Sequence, residues 1–333
     1  MMEVIGMDFG FYVPTRGPLS APENMKTLVT KGEELGFGYM AITDHIVVPR
    51  TVDSTYPYSD EGDWPAGRDG EFFDQLAVMA YLAGQTSTAR LLTSVMVLPH
   101  RAPVLTAKML STIDVLSGGR VTVGAGAGWC KEEFEAIGAP PHAERGKVAD
   151  EYIRVFKELW TNEDPEFHGD YADFANITFM PRPIQNPGPP VWIGGEGKAA
   201  LRRVVRIGDG WYPIAHNPNF PLDTLERYKT TLDVLCGLCE ESGRNFDDID
   251  LGFFIMRWGS EPGEALPPMG TDNAATDDGR RLMSGSAEQM AMDISALRNL
   301  GVTTLNLSFE RASLSETLDC MEAFARDIIP LAN

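Results

Sequence analysis

Asp44 and His45 stand side by side at the close of a predicted strand, Tyr39–Asp44, where a parallel barrel presents side chains to a substrate. An unperturbed histidine titrates at about pH 6.5, so His45 is a candidate general acid or base. Asp44 could orient the ring or raise its basicity; a histidine here could also cap the strand and satisfy loop backbone. Two further strands end in small residues. Gly118–Trp129 reads GGRVTVGAGAGW and finishes on Gly126, Ala127 and Gly128. Val191-Trp192-Ile193 runs into Gly194-Gly195-Glu196-Gly197, directly before a helix-periodic stretch. Bare backbone at two strand ends makes a floor on which a planar, phosphorylated cofactor can lie. The helix start beside Gly194 and Gly195 offers unpaired N–H groups, which together with the helix dipole favour a phosphate. Lys198, Arg202 and Arg206 add a cationic stripe at four-residue spacing, which also describes an ordinary solvated helix face. In the third strand, Thr93 and Ser94 are the polar residues of an apolar run, and polar groups in a buried strand need partners, in a bulge or on a ligand.

Other chemistries find less support. His100, His142, His168 and His216 show no metal-ligand spacing, so no metal site is nominated, and no G-x-S-x-G elbow marks a serine hydrolase. Cys130, Cys236, Cys239 and Cys320 are too sparse for a disulfide scaffold. The Cys236-x-x-Cys239 pair falls inside a helical pattern and reads as two small core residues on one helix face. Twenty-eight Lys plus Arg against 48 Asp plus Glu give a net charge of −20, which repels polyanions and argues against nucleic acid. No segment approaches the roughly 20 apolar residues of a membrane helix, and Met1–Gly10 lacks a signal-like pattern. The expectation is a cytoplasmic protein that does not contact membranes.

Positioning these residues falls to short β-type runs that alternate with helical periods along almost the whole chain. The strands expected are Asp8–Val13, Tyr39–Asp44, Leu91–Leu98, Val121–Gly126, Val191–Gly194, Gly210–Ile214, Leu251–Met256 and Thr304–Ser308. Eight β/α pairs predict an α/β fold, a (β/α)8 TIM barrel in one domain over residues 1–333, with a doubly wound sheet as the alternative. Three insertions, at 46–71, 163–190 and 259–285, take up the excess length. The first is a natural lid carrying Tyr56, Tyr58 and Trp64, with Phe72 and Phe73 just beyond it; the second suggests a hairpin of Tyr171–Phe174 with Ile177–Met180.

The motifs T-D-H-I-V-V-P at Thr43–Pro49, S-V-M-V-L-P at Ser94–Pro99, L-S-G-G-R-V-T-V-G-A-G-A-G-W-C-K-E-E-F at Leu116–Phe134, A-E-R-G at Ala143–Gly146, P-R-P-I-Q-N-P-G-P-P-V-W-I-G-G at Pro181–Gly195 and R-I-G-D-G-W at Arg206–Trp211 resemble the bacterial luciferase-like superfamily. Within it they resemble the deazaflavin-dependent oxidoreductases. The resemblance implies a barrel that binds coenzyme F420, or alternatively FMN, at its C-terminal mouth, with the ring against Thr93, Ser94 and Val95 and a non-prolyl cis peptide at Ser94–Val95. It also implies that Asp44 and His45 are the acid/base pair, that Gly126, Ala127 and Gly128 wall the cofactor, and that Gly194 and Gly195, with Glu196 and Gly197 after them, form the phosphate loop. Arg145 matches a recurrent arginine that anchors a loop or serves the site. The implied activity is hydride transfer between F420 and a small organic substrate, in a homodimer. A reduced-FMN monooxygenase and a non-catalytic flavin-fold binding protein are the alternatives.

Overall fold

Strong β-formers alternating around small residues give this chain its strands, and the computed structural model, which describes residues 6–59, 61–64, 71–256, 258 and 280–332, shows how they close. The barrel strands are β1 (Asp8–Val13), β2 (Tyr39–Ile42), β3 (Arg90–Thr93, resumed at Met96–Val97), β4 (Val121–Gly126), β5 (Val191–Gly194), β6 (Gly210–Tyr212), β7 (Asp250–Ile255) and β8 (Thr304–Leu307). Each pairs in parallel with the next, and β1 pairs with β8 at Asp8 opposite Thr304. That last pairing leaves no open edge, so the barrel stands and the doubly wound alternative falls.

The helices are α1 (Pro22–Glu34), α2 (Gln75–Ala83), α3 (Pro103–Ser117), α4 (Lys131–Ile137), α5 (Arg145–Thr161), α6 (Lys198–Ile207), α7 (Leu225–Ser242), α8 (Ala287–Asn299), α9 (Leu314–Asp327) and the short α10 (Ile329–Ala332). Their ends follow from local chemistry. Asp74 caps α2 by accepting the Ala77 N–H at 2.9 Å, and α3 starts on Pro103 and stops where Gly118 takes a φ of 72°. Strand alternation then makes two cores. Phe9, Phe11 and Val13 of β1 join the large cluster packed with the helices, while Tyr39, Leu92, Trp192, Tyr212, Ile214 and Phe254 form a separate one. Trp192 occupies so much of this second cluster that a Cβ on Gly210 would lie 2.4 Å from its ring, and one on Gly252 2.8 Å.

The structure shortens β2 to Ile42, which leaves Asp44 and His45 on the loop, and breaks β3 at a cis Ser94–Val95 peptide, as expected from the resemblance. The expected hairpin is formed by different residues. Phe167–His168 pairs with Asp173–Phe174, held by Glu151, which accepts the N–H groups of Asp170, Tyr171 and Ala172. Residues 177–180 are therefore free to run toward α3 instead. In the first insertion residues 60 and 65–70, and in the third residues 259–279, lie outside the described residues. Cys239 is buried and Cys236 half-buried on α7, both packed on the core, as the helical reading required. Among the described residues no helix is long and apolar enough to cross a membrane, and no group of three metal-binding side chains comes together.

Candidate active site at the barrel mouth

His45 leaves β2 at the C-terminal rim of the barrel, with a side chain 14% exposed. Its Nδ1 lies 2.9 Å from Oε2 of Glu133, at the first turn of α4. Trp64 and Phe72 flank the ring with centroids at 4.6 and 4.9 Å, and Nε2 has no hydrogen-bond partner among the described residues. Glu133 is 1% exposed in the side chain, and its Oε1 accepts the N–H groups of Ile46 at 2.7 Å and Val47 at 3.2 Å. Burial works to raise its pKa, but the His45 hydrogen bond, the charges of His45 and His100 and the Ile46 N–H outweigh it and hold the carboxyl below its ordinary range. Glu133 was not singled out by the sequence. It is 88 residues from His45 and follows Glu132, so it reads as half of an exposed acidic helix start; its one signal is Phe134 beside it, which marks that side of α4 as inward.

Asp44 does not touch His45. Its buried carboxylate accepts the Val97 N–H at 2.9 Å and both arms of Arg101 at 2.8 Å, and Arg101 reaches on to Asp74 at 2.7 Å. Glu133 thus takes the place beside the histidine that the sequence suggested for Asp44, while Asp44 ties the end of β2 to the resumed part of β3. His100, the next histidine along, is buried against Phe134, and burial lowers its pKa.

The cis bulge projects half-buried Val95 between β4 and β5. A Cβ on Gly126 would come within 2.7 Å of Val95 Cγ2, and one on Gly194 within 2.9 Å of Val95 Cγ1, so these two glycines have a packing reason of their own. Thr93 is fully buried and its hydroxyl donates to the Gly124 carbonyl at 2.8 Å, which makes it a partner of the bulge. Ser94 shares a 3.0 Å hydrogen bond with the Tyr212 hydroxyl beneath the same bulge. Ala127 and Gly128 continue from β4, Gly128 at a φ of 89°, and Arg145 fastens that turn by donating to the Gly128 carbonyl at 3.0 Å. Arg145 therefore anchors the loop.

Beyond β5, Gly195 takes a φ of 108° and Gly197 stands at the N-cap of α6. No side chain caps this helix and its first turn carries no acid; the Ala200 N–H donates to the Gly197 carbonyl at 2.9 Å, which leaves the Lys198 and Ala199 N–H groups without an acceptor among the described residues. Glu196 turns its carboxylate away, onto the Ile214 N–H at 2.9 Å and Asn217 Nδ2 at 2.7 Å, and burial pushes its pKa up. Lys198, Arg202 and Arg206 are exposed, and Arg206 pairs with Asp150: a solvated face. An acid-free helix start beside open glycine backbone, with Val95 as an apolar ridge, is a donor set that fits a phosphorylated planar ring.

Aromatic side chains cover the mouth. Tyr56 meets Trp129 edge-on at 5.2 Å, Trp64 meets Trp129 at 5.4 Å and stacks on Phe72, and Tyr58 packs against the cluster inside the barrel. Phe73 stays 41% exposed and takes no part. Glu132 accepts the N–H groups of Asp53 at 2.9 Å and Ser54 at 3.0 Å, so consecutive glutamates hold the first insertion against α4.

Fold and site together define a class: a closed (β/α)8 barrel whose mouth carries a histidine hydrogen-bonded to a buried glutamate. Residues 7–257 match the luciferase-like monooxygenase family, and the chain belongs to it. An uncharacterized protein of Mycobacterium tuberculosis is 35% identical over 212 residues, 64% of this chain and 68% of that one. An FMNH(2)-dependent dimethylsulfone monooxygenase of Pseudomonas putida is 43% identical over 113 residues, 33% of this chain and 31% of the relative. Among solved structures, an F420-dependent secondary alcohol dehydrogenase in complex with an F420-acetone adduct superposes with a TM-score of 0.73 at 16% identity, over 98% of this chain and 99% of that one, which shows the shared fold. Proteins like this chain thus include one named for FMNH(2), similar in sequence, and one named for F420, similar in fold.

Proposed function

We propose that this protein is an F420-dependent oxidoreductase that moves a hydride between the deazaflavin and a small organic substrate, with His45 exchanging the accompanying proton. The observation that carries the reading is His45 itself: Nδ1 is engaged by Glu133, and Nε2, between aromatic walls at the rim, has no hydrogen-bond partner among the described residues. Val95 and the glycine backbone of β4 and β5 would hold the ring, where a deazaflavin would supply or accept the hydride and a reduced flavin would activate oxygen. The chain's own part is to position and to protect. Gly126, Ala127 and Gly128 give the ring a wall of small residues; Gly194, Gly195 and Gly197 keep side chains away from the α6 start, whose N–H groups hold a phosphate, with Glu196 bracing the loop from behind. Trp64, Phe72 and Trp129 exclude water around His45, which favours an apolar substrate.

The second reading, an FMNH2-dependent monooxygenase, is favoured by the local likeness to the dimethylsulfone enzyme. Fluorescence titration of the apoprotein with F420 and with FMN, each oxidised and reduced, separates the two. Binding of F420 alone supports hydride transfer, preference for reduced FMN supports the monooxygenase, and binding of neither defeats both.

We also propose a homodimer. Val104, Leu105 and Leu116 of α3 are exposed beside Met180 and Ile184, whose segment is fastened along α3 by Ser111 on the Pro181 carbonyl and Asp114 on the Ile184 N–H. Exposed apolar side chains on one helix and on the segment fastened along it suit a two-fold interface. Four free thiols suit the cytoplasm, where we place the protein.

A further inference from the structure

We propose that Glu133 is the positioning residue of this site: its carboxylate selects the His45 tautomer that leaves Nε2 free toward the mouth, and it seats the start of the covering insertion in the same act. The proposal deepens the acid–base reading of His45 and takes its catalytic meaning from it; the geometry stands apart from that reading.

An ionised carboxylate only accepts hydrogen bonds, so the 2.9 Å contact between His45 Nδ1 and Oε2 requires the proton to be on Nδ1. A neutral ring then carries its lone pair on Nε2, the nitrogen without a partner among the described residues. The other oxygen, Oε1, takes the N–H groups of Ile46 and Val47. Three consecutive residues, His45, Ile46 and Val47, therefore converge on one buried carboxylate, two of them through backbone N–H groups in the manner of an anion nest. His100 competes poorly, since its Nδ1 stands 3.9 Å from Oε1 and makes no hydrogen bond. Glu132 repeats the seating function one residue earlier, on Asp53 and Ser54, without touching the histidine.

Tautomer selection and seating come apart in Glu133→Gln. Two backbone N–H groups still need an acceptor, so the amide oxygen goes to Ile46 and Val47. That leaves the amide NH2 facing His45 Nδ1, which must then accept and shift the ring proton to Nε2. A merely structural role would be largely preserved by this variant.

The test is long-range 1H–15N spectroscopy of protein labelled at histidine, at about pH 8.5 where an ordinary imidazole is neutral, with the His45 signals assigned by their loss in His45→Ala. In the wild type Nδ1 should resonate as the protonated nitrogen and Nε2 as the bare one. Glu133→Gln should reverse the two, depleting the wild-type tautomer by roughly tenfold, while affinity for F420 stays within about twofold. Glu133→Ala should give a mixture of tautomers and speed exchange of the Ile46 and Val47 amides by roughly tenfold or more. Glu132→Gln should leave the His45 tautomer alone. A wild-type ring protonated on Nε2, or a Glu133→Gln ring still protonated on Nδ1, would overturn the proposal. Unchanged turnover in His45→Ala would instead defeat the acid–base reading and leave the tautomer result intact.

Discussion

Replacing Asp44 by alanine should be the most damaging single change near the site, through stability and not through proton transfer. The carboxylate is fully enclosed and accepts three hydrogen bonds, two from Arg101 and one from the buried Val97 N–H. Removing one partner of a buried ion pair typically costs about 3–5 kcal/mol, and a buried N–H left without an acceptor about 1–3 kcal/mol. Arg101 keeps its bond to Asp74, which limits the first figure to its lower end. The expected loss is about 4 kcal/mol for Asp44→Ala and about half of that for Asp44→Asn, which can still accept from Val97. By contrast Asp74→Asn, whose carboxylate is 45% exposed, should cost under about 1 kcal/mol. Urea unfolding followed by tryptophan fluorescence measures all three, with an unchanged m-value as the check that only stability moved. A loss below about 1 kcal/mol for Asp44→Ala would mean that the Arg101 pair contributes nothing net and does not tie β2 to β3.

Four shorter expectations accompany it. His45→Ala should lower turnover by roughly 10²–10⁴-fold while F420 binding survives, as steady-state kinetics and the fluorescence titration would show; full activity would remove the histidine from the chemistry. Gly124→Ala places a Cβ 2.0 Å from the Thr93 carbonyl, a backbone atom that cannot step aside, and should cost about 1–3 kcal/mol in the same unfolding assay. Burial opposes ionisation of Glu132, but its own N–H, the Ser54 hydroxyl and the Asp53 and Ser54 N–H groups outweigh this and lower its pKa to about 2. A carboxyl depressed in the folded state stabilises fully above its unfolded value of about 4.3 and loses that contribution as pH falls toward 2, so exchange of the Asp53 and Ser54 amides, corrected for intrinsic rate, should accelerate only across that window. Leu116→Asp should convert a dimer to a monomer in sedimentation, and an unaltered mass would remove α3 from the interface.

The fold was readable because its signals are local. Three predicted strands, Asp8–Val13, Val121–Gly126 and Val191–Gly194, match residue for residue, since apolar runs bounded by glycine or polar residues leave little choice of boundary. Errors arose where a distant partner decides. The hairpin register depends on Glu151, about twenty residues upstream, gathering three backbone N–H groups. Gly194 stood out by its place at a strand end, but nothing near it in sequence announces that Val95, about a hundred residues earlier, fills the space its missing Cβ leaves. Asp44-His45 drew attention as a neighbouring pair, yet on the loop beyond β2 each makes its side-chain hydrogen bonds elsewhere, Asp44 with Arg101 and His45 with Glu133. Sequence spacing locates backbone; long-range pairing of charges needs the closed barrel.

Arg101 holds Asp44 with one part of its guanidinium and Asp74, the cap of α2, with another, so a single side chain pins together the two roots of everything between β2 and α2. The ends of that connection are already closed by the barrel, and closure entropy grows only logarithmically: doubling the length of such a loop costs about 0.6 kcal/mol. What covers the mouth is in this sense a replaceable part. Between those fixed roots, chain beyond the stretch seated on Glu133 and Glu132 and beyond Tyr58, which packs inside the barrel, can differ in length and side chains and so alter what the mouth admits, while the strand pairings stay as they are.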